Sequence, residues 1–233
     1  MFQCSIYDNV VNRCCYFSEK QVHLIKEYMH LKEVNEDLIA ENVRLRNEMT
    51  TFTDSTLYRN DFKYDKGVIV NATYNRTKNF LTLDKGEADG IRENMGICSG
   101  DDVVGMVVKT SDHYSIIMPV INKSFKISGM LKKGNYYGSM QWDGIDYRYS
   151  YLEDIPMHIG IIKGDSVVTT EYSSIFPKGK FIGYVDSVCE ENSNFKKVKI
   201  RLAVDFRTLN EVNVISNLNQ EEKKDLEKDF FNE

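Results

Sequence analysis

The sequence predicts a mainly β protein with one long N-terminal helix, in which a coiled-coil helix precedes two small β-barrels of the six-stranded type. Three observations predict it. Residues 18–49 lack glycine and proline and carry a leucine at every seventh position, the chain beyond them breaks into short β-rich runs, and two of those runs echo each other. With 233 residues, 42% hydrophobic and 28% charged, the chain holds enough apolar material for one medium domain or two small ones plus an extended element.

The helix comes first. Leu24, Leu31, Leu38 and Leu45 stand seven apart, the spacing of a heptad. With these leucines at d, positions a are Tyr28, Asn35, Asn42 and Met49, and asparagine at a favours a two-stranded, in-register pair. The flanks agree with a parallel homodimer: Glu27 would face Lys32, Glu41 would face Arg46, and the middle pair, Val34 with Ile39, is apolar. Such surface pairs add about 0.5 kcal/mol each, so they choose orientation more than they stabilise. A helix lying on its own domain would carry a wider stripe, and Val22, Ile25, Val34, Ile39 and Val43 do widen this one. At about 1.5 Å per residue the helix is a spacer of about 48 Å. Residues 1–17 are read as a stub ahead of the helix and 18–60 as the dimerising helix with a polar bridge.

The β region, residues 61–216, reads "KGVIVNATY", "NFLTLDKG", "VVGMVVKTS", "YSIIMPVI", "FKISGML", "GSMQW", "YRYSYL", "DSVVTT", "KFIGYVDSV" and "KKVKIRLAVD". Turn residues such as Lys85-Gly86, Asp89-Gly90, Ser99-Gly100, Lys133-Gly134, Asp143-Gly144 and Pro177-Lys178-Gly179 separate these runs. Many short strands without intervening helices mean a sandwich or barrels. The echo joins Ile97-Cys98, a turn and Val104-Gly105-x-Val107 to Val167-Val168, a longer turn and Ile182-Gly183-x-Val185. A glycine inside a strand marks a bulge or a close backbone approach. We expect two interlocked barrel subdomains with a boundary near 112–125 and strands that can be exchanged between them. The acidic tail, residues 217–233, is expected to be disordered, with Phe230 and Phe231 as its one hint of docking.

The formal net charge of -5 comes with interspersed signs, which argues against a nucleic-acid partner. No run of about 18 apolar residues marks a membrane span, and no signal peptide is present as written. Five cysteines, Cys4, Cys14, Cys15, Cys98 and Cys189, form no C-x-x-C pair, so neither a zinc site nor a disulfide framework is expected. A bond between chains at Cys14 or Cys15 is the sharper alternative. Sequons at Asn71, Asn75 and Asn122 matter only in a glycosylating pathway.

Gly164-Asp165-Ser166 looks like the nucleophile loop of a serine protease. Such a serine needs a histidine base, an orienting acid and oxyanion amides. Here Val167-Val168 follow in place of glycines, and the β region offers only His113 and His158, the latter too close in sequence to serve as a first-barrel base. We read Ser166 as a strand residue and expect no catalysis, cofactor or metal. Tyr147, Tyr149 and Tyr151, following Tyr136, Tyr137 and Trp142, share one strand face at spacing two. That is a half-buried sheet surface or, if exposed, a protein-binding patch before a glycan-binding one.

The order of these parts resembles the rod shape-determining protein MreC family. The resemblance lies in "FLTLDKGEADGIRENMGICSGDDVVGMVVKTSDHYSIIMPVIN" and, more specifically, in "GDSVVTTEYSSIFPKGKFIGYV", and covers roughly residues 20–216. Its signature positions are Gly86, Gly90, Gly105, Gly164, Asp165, Phe176, Pro177, Gly179 and Gly183. Thr169-Thr170-Glu171 stands where the family usually has Thr-Ser-Gly, a departure that bears on the tightness of that turn. The family's N-terminal transmembrane helix is missing from the sequence, which suggests a chain trimmed to its soluble part. The resemblance implies a single-pass protein on the periplasmic side of the bacterial inner membrane, a homodimer able to form filaments. It also implies a scaffold of cell elongation that connects MreB, through MreD, to penicillin-binding protein 2 and RodA. Two other readings are an adaptor of an efflux or secretion system, which would use a helical hairpin, and a membrane-tethered chymotrypsin-like protease.

Overall fold

The computed structural model describes residues 29, 32–34, 36–38, 40–45, 62–190 and 195–219. The chain divides into two compact units, residues 1–49 and 50–233. In the first unit every described residue is helical, and all but Val43 are exposed. The d-position leucines Leu38 and Leu45 are 56% and 43% exposed, so among the described residues neither is buried. Glu41, expected to face Arg46 across a dimer, pairs with Arg44 of its own helix at 2.6 Å, and the Asn42 amide donates to Leu38 O. Leu24, Tyr28, Leu31, Asn35 and Met49 lie outside the described residues, as do Cys14, Cys15 and residues 220–233.

Among the described residues the second unit has twelve strands, which close into two circuits. Ring one comprises β1 (Phe62–Ala72), β2 (Leu81–Leu83), β3 (Gly96–Ser99), β4 (Asp102–Thr110), β5 (Ser115–Pro119) and β12 (Glu211–Asn217). Its order is β4-β3-β12-β1-β2-β5, and pairing of β4 with β5 closes it. Ring two comprises β6 (Lys126–Leu131), β7 (Tyr136–Gln141), β8 (Tyr149–Pro156), β9 (Ser166–Thr169), β10 (Phe181–Glu190) and β11 (Phe195–Leu202). Its order is β11-β8-β7-β6-β9-β10, closed by β10 on β11. A parallel bridge between Phe181 and Asp102 joins the rings. Closure removes the free strand edges that would invite pairing with another chain.

The strands form because their residues alternate. In β11, Val198, Ile200 and Leu202 are buried while Lys197, Lys199 and Arg201 face out, the period of two that a sheet with one wet face requires. Full burial of side chains such as Leu81, Leu83 and Ile117 in ring one, and Leu152, Val167 and Ile200 in ring two, stabilises the unit by about 1.5–3 kcal/mol each. β12 is absent from the β-rich runs read above, which end at Asp205. Its sequence, "EVNVISN", holds two asparagines, residues depleted in strands, and its alternation stops where Val214 and Ile215 are both buried.

The two echoing segments are structurally equivalent. Val104 is an extra residue between β3 and β4, and Ile182 is one between β9 and β10, each immediately before the strand glycine. A second extra residue follows in each case, Val108 against β5 and Asp186 against β11. A Cβ on Gly105 would run into Met118 O and Pro119 Cα, and one on Gly183 into Arg201 O. These are the close backbone approaches that only glycine permits.

Candidate functional site

Some of the singled-out residues gather in two places, a junction between the rings and the outer face of ring two. The junction is built by the loop of residues 170–180, which leaves β9 and returns as β10. The Thr169 hydroxyl donates to Pro177 O at 2.6 Å and accepts from Lys180 N at 2.9 Å, while Gly179 N donates to Thr169 O. The loop is pinned at its neck by that one side chain. Ser173 Oγ accepts from the backbone N–H groups of Ile175 and Phe176 and folds the tip.

Phe176, only 1% exposed, lies against Gly96 of β3, where an added Cβ would stand 2.8 Å from the ring. Asn217 of β12 donates to Ser174 O at 2.9 Å. Lys180 donates to Asp101 at 2.9 Å and sits 4.9 Å from the Tyr64 ring centre, a cation held between rings one and two. Burial, and then the charge of Asp101, holds the Asp102 carboxyl above its ordinary value. The signature residues Phe176, Pro177 and Gly179 therefore lie in one loop that makes the contact between the rings, while Gly183 packs inside ring two against Arg201 O.

Gly164-Asp165 forms the turn into β9, with Asp165 accepting from Ile162 N and donating its own N–H to Ile162 O. Ser166 is the first residue of β9. Among the described residues no hydrogen bond links it to a histidine, and no group of three or more His, Cys, Asp or Glu side chains is arranged to hold a metal. Gly86 and Gly90 lie apart from the junction and flank a single-turn 3-10 helix, Glu87–Asp89. Gly90 borders a cleft of about 330 Å³ lined by charges of both signs, Lys63 and Arg92 with Asp65, Asp89 and Glu93.

The aromatic trio divides. Tyr147 precedes β8 and does not share its face. It packs edge-on to Tyr74 at 5.7 Å under the Arg207 guanidinium. Tyr149 and Tyr151 do share the outer face of β8, half-buried. Lys199 lies 4.1 Å from the Tyr149 ring centre and Lys197 4.8 Å from that of Tyr151, contacts favoured by the ring quadrupole. Burial, followed by Asp143, pushes the Tyr151 hydroxyl up. Asp146 grips Arg148 through its backbone N–H and its guanidinium, which holds the Asp146 carboxyl down at about 2. Asp205 clasps Arg207 in the same way. Tyr149 and Tyr151 are thus a half-buried pair with lysines over their rings, and Tyr147 lies outside it.

Sequence reasoning missed Lys180, Asp101 and Tyr64, and also a buried amide pair. Asn79 donates to Ile121 O and Asn122 donates to Asn79 O, both at 2.8 Å. This fixes the linker between β5 and β6, and Asn122, fully buried, is closed to glycosylation.

The family described as "Rod shape-determining protein MreC, barrel core" matches residues 69–216. The chain is 25% identical over 215 residues to the cell shape-determining protein MreC of Listeria monocytogenes, covering 89% of this chain and 71% of that one. A solved Listeria MreC superposes with a TM-score of 0.62 at 24% identity, over 83% of this chain and 92% of the other. The MreC chain of a complex with penicillin-binding protein 2 from Helicobacter pylori superposes with a TM-score of 0.55 at 18% identity, over 67% and 98%. The chain belongs to the rod shape-determining protein MreC family.

Proposed function

We propose that this chain is a non-catalytic scaffold of the cell-elongation machinery, working on the periplasmic side of the bacterial inner membrane. It organises and activates peptidoglycan synthesis and maintains rod shape. Its direct partner is a transpeptidase of the penicillin-binding protein 2 type, with RodA and MreD alongside and MreB reached indirectly. The observation that carries this reading is membership of a family one of whose members has been solved bound to penicillin-binding protein 2.

The physical case is consistent with it. Among the described residues the closed rings leave no strand edge for β-addition, so a partner of the barrels is read by side chains on an outer face. Tyr149 and Tyr151 form such a face, with amphipathic rings of the kind enriched in interface centres. The leucine seam of the helix supports a homodimer, which presents two copies of that face. Activation then follows if the transpeptidase's active state is bound more tightly than its inactive one.

The test is capture of the detergent-solubilised transpeptidase from the same organism by the immobilised chain. Binding is expected at about 10 µM, with clear loss in a Tyr149→Ala, Tyr151→Ala double variant that melts like the parent. No capture by the parent would count heavily against the scaffold reading.

A further inference from the structure

The outer face of ring two, on which the scaffold reading places Tyr149 and Tyr151, also carries a charge pattern of which that reading makes no use. Lys197, Lys199 and Arg201 project from β11 at alternate positions, so their charges repeat every 6.6–7 Å or thereabouts, roughly twice the rise of a strand. The neighbouring strand supplies a parallel row, Tyr149 and Tyr151, with Lys199 paired across to Tyr151 and Arg201 to Tyr149. The rings hold Lys199 and Lys197 over their faces. Part of the entropy cost of fixing a lysine for binding is thereby already met.

Local acids meet this row in places, and Asp143 lies beside the Tyr151 hydroxyl. Lys197 pairs with Glu153 at 2.8 Å, Arg148 with Asp146 and Arg207 with Asp205, and Asp186 is taken by Lys163. Lys199 is close enough to Asp146 to help hold its carboxyl down. Yet among the described residues neither Lys199 nor Arg201 has a carboxylate within ion-pair distance. On a chain of net charge -5, this is a local surplus of positive charge in strand register.

We infer that the β8–β11 face docks an extended acidic segment of a partner protein, its carboxylates at alternate positions meeting Lys199 and Arg201. An extended peptide repeats its same-face side chains at the spacing of β11 itself, whereas phosphates along a polyphosphate chain lie closer together. The tyrosine row then packs against the stems of the acidic residues. The inference goes beyond the scaffold reading, since it names the chemistry of the segment and not the protein that carries it.

The probe is a fluorescein-labelled peptide of four Glu-Thr repeats, titrated with the full chain and read by anisotropy. It should bind with a Kd of about 1 mM or tighter at low salt and weaken as salt is added. A Lys199→Gln, Arg201→Gln variant should bind at least about fivefold more weakly while melting like the parent. A Lys199→Glu, Arg201→Glu variant should instead take up a Lys-Thr repeat peptide, a gain that damage to the fold would not produce. The inference is overturned by no binding, by equal binding of the Gln variant, or by equal binding of a block peptide with four glutamates followed by four threonines. Uptake of polyphosphate in place of the peptide would also overturn it. No transpeptidase enters this assay, so its outcome is separable from the capture experiment above.

Discussion

Ring one and ring two carry the same pair of extra residues around the same strand glycine, Val104-Gly105 with Val108 and Ile182-Gly183 with Asp186. They differ in how they are completed. Ring two is continuous in sequence from β6 to β11, whereas ring one needs β12, which returns after all of ring two has been made. They differ again in one connection. β3 passes to β4 through Gly100-Asp101, while β9 reaches β10 through residues 170–180. The longer loop is the one that crosses to the other ring, bringing Phe176 to Gly96 and Lys180 to Asp101. The two copies thus share their internal geometry, while the longer loop joins them together with the Phe181–Asp102 bridge and the Tyr74–Tyr147 contact.

Phe176→Ala should expose this division of labour most strongly. Removing a fully buried phenylalanine costs about 3–5 kcal/mol, and here the lost contact lies between the rings. Calorimetry should show a lowered melting temperature, with the single transition separating into two. One unchanged transition would mean that the loop does not couple the rings. The equivalence of the copies is tested next by Gly105→Ala and Gly183→Ala. Each forces a methyl into backbone atoms of the neighbouring strand and should cost about 2–3 kcal/mol, the two losses agreeing within about 1 kcal/mol. Gly160→Ala, with open space around its Cβ, should change stability by no more than about 0.5 kcal/mol. Urea unfolding measures all three, and a tolerated Gly183→Ala beside a damaging Gly105→Ala would break the symmetry.

These glycines were legible because glycine inside a β-rich run is a local signal. The turn at Phe176-Pro177 was legible for the same reason, but its destination was not. Gly96 is far away in sequence, and no periodicity marks a contact between a loop and a distant strand. Lys180 looks like any solvated lysine until Tyr64 and Asp101 close on it. Asn122 reads as a loop residue or a sequon, yet it is a buried amide bonded to Asn79. β12 escaped because its asparagines weaken the strand signal that its buried valines supply. Tyr147 was grouped with Tyr149 and Tyr151 by spacing alone, and spacing does not reveal where a strand begins. The helix register rests on leucine spacing, and of its eight a and d positions only Leu38, Asn42 and Leu45 lie among the described residues.

The smallest effect sets the rim of ring two against the start of β4 in ring one, through two aspartates with the same ordinary value of 3.8. Asp146 is held at about 2 by Arg148. A depressed folded value means its contribution is present above 3.8 and lost as the pH falls through about 2. Asp102 is shifted the other way, by burial first and then by Asp101. Its charge opposes folding above its raised value, and protonation relieves that opposition as the pH falls. Asp102→Asn should therefore raise stability slightly at neutral pH, a gain that shrinks in acid, whereas Asp146→Asn should lower it slightly, a loss that vanishes toward pH 2. Carboxyl carbon NMR across the acid range checks both residues in one titration. Coincident midpoints near 3.8 would remove the contrast between the two sites. A midpoint for Asp102 above that of Asp146 would support a junction that loosens when Asp102 ionises and a rim that Arg148 keeps clasped into strong acid.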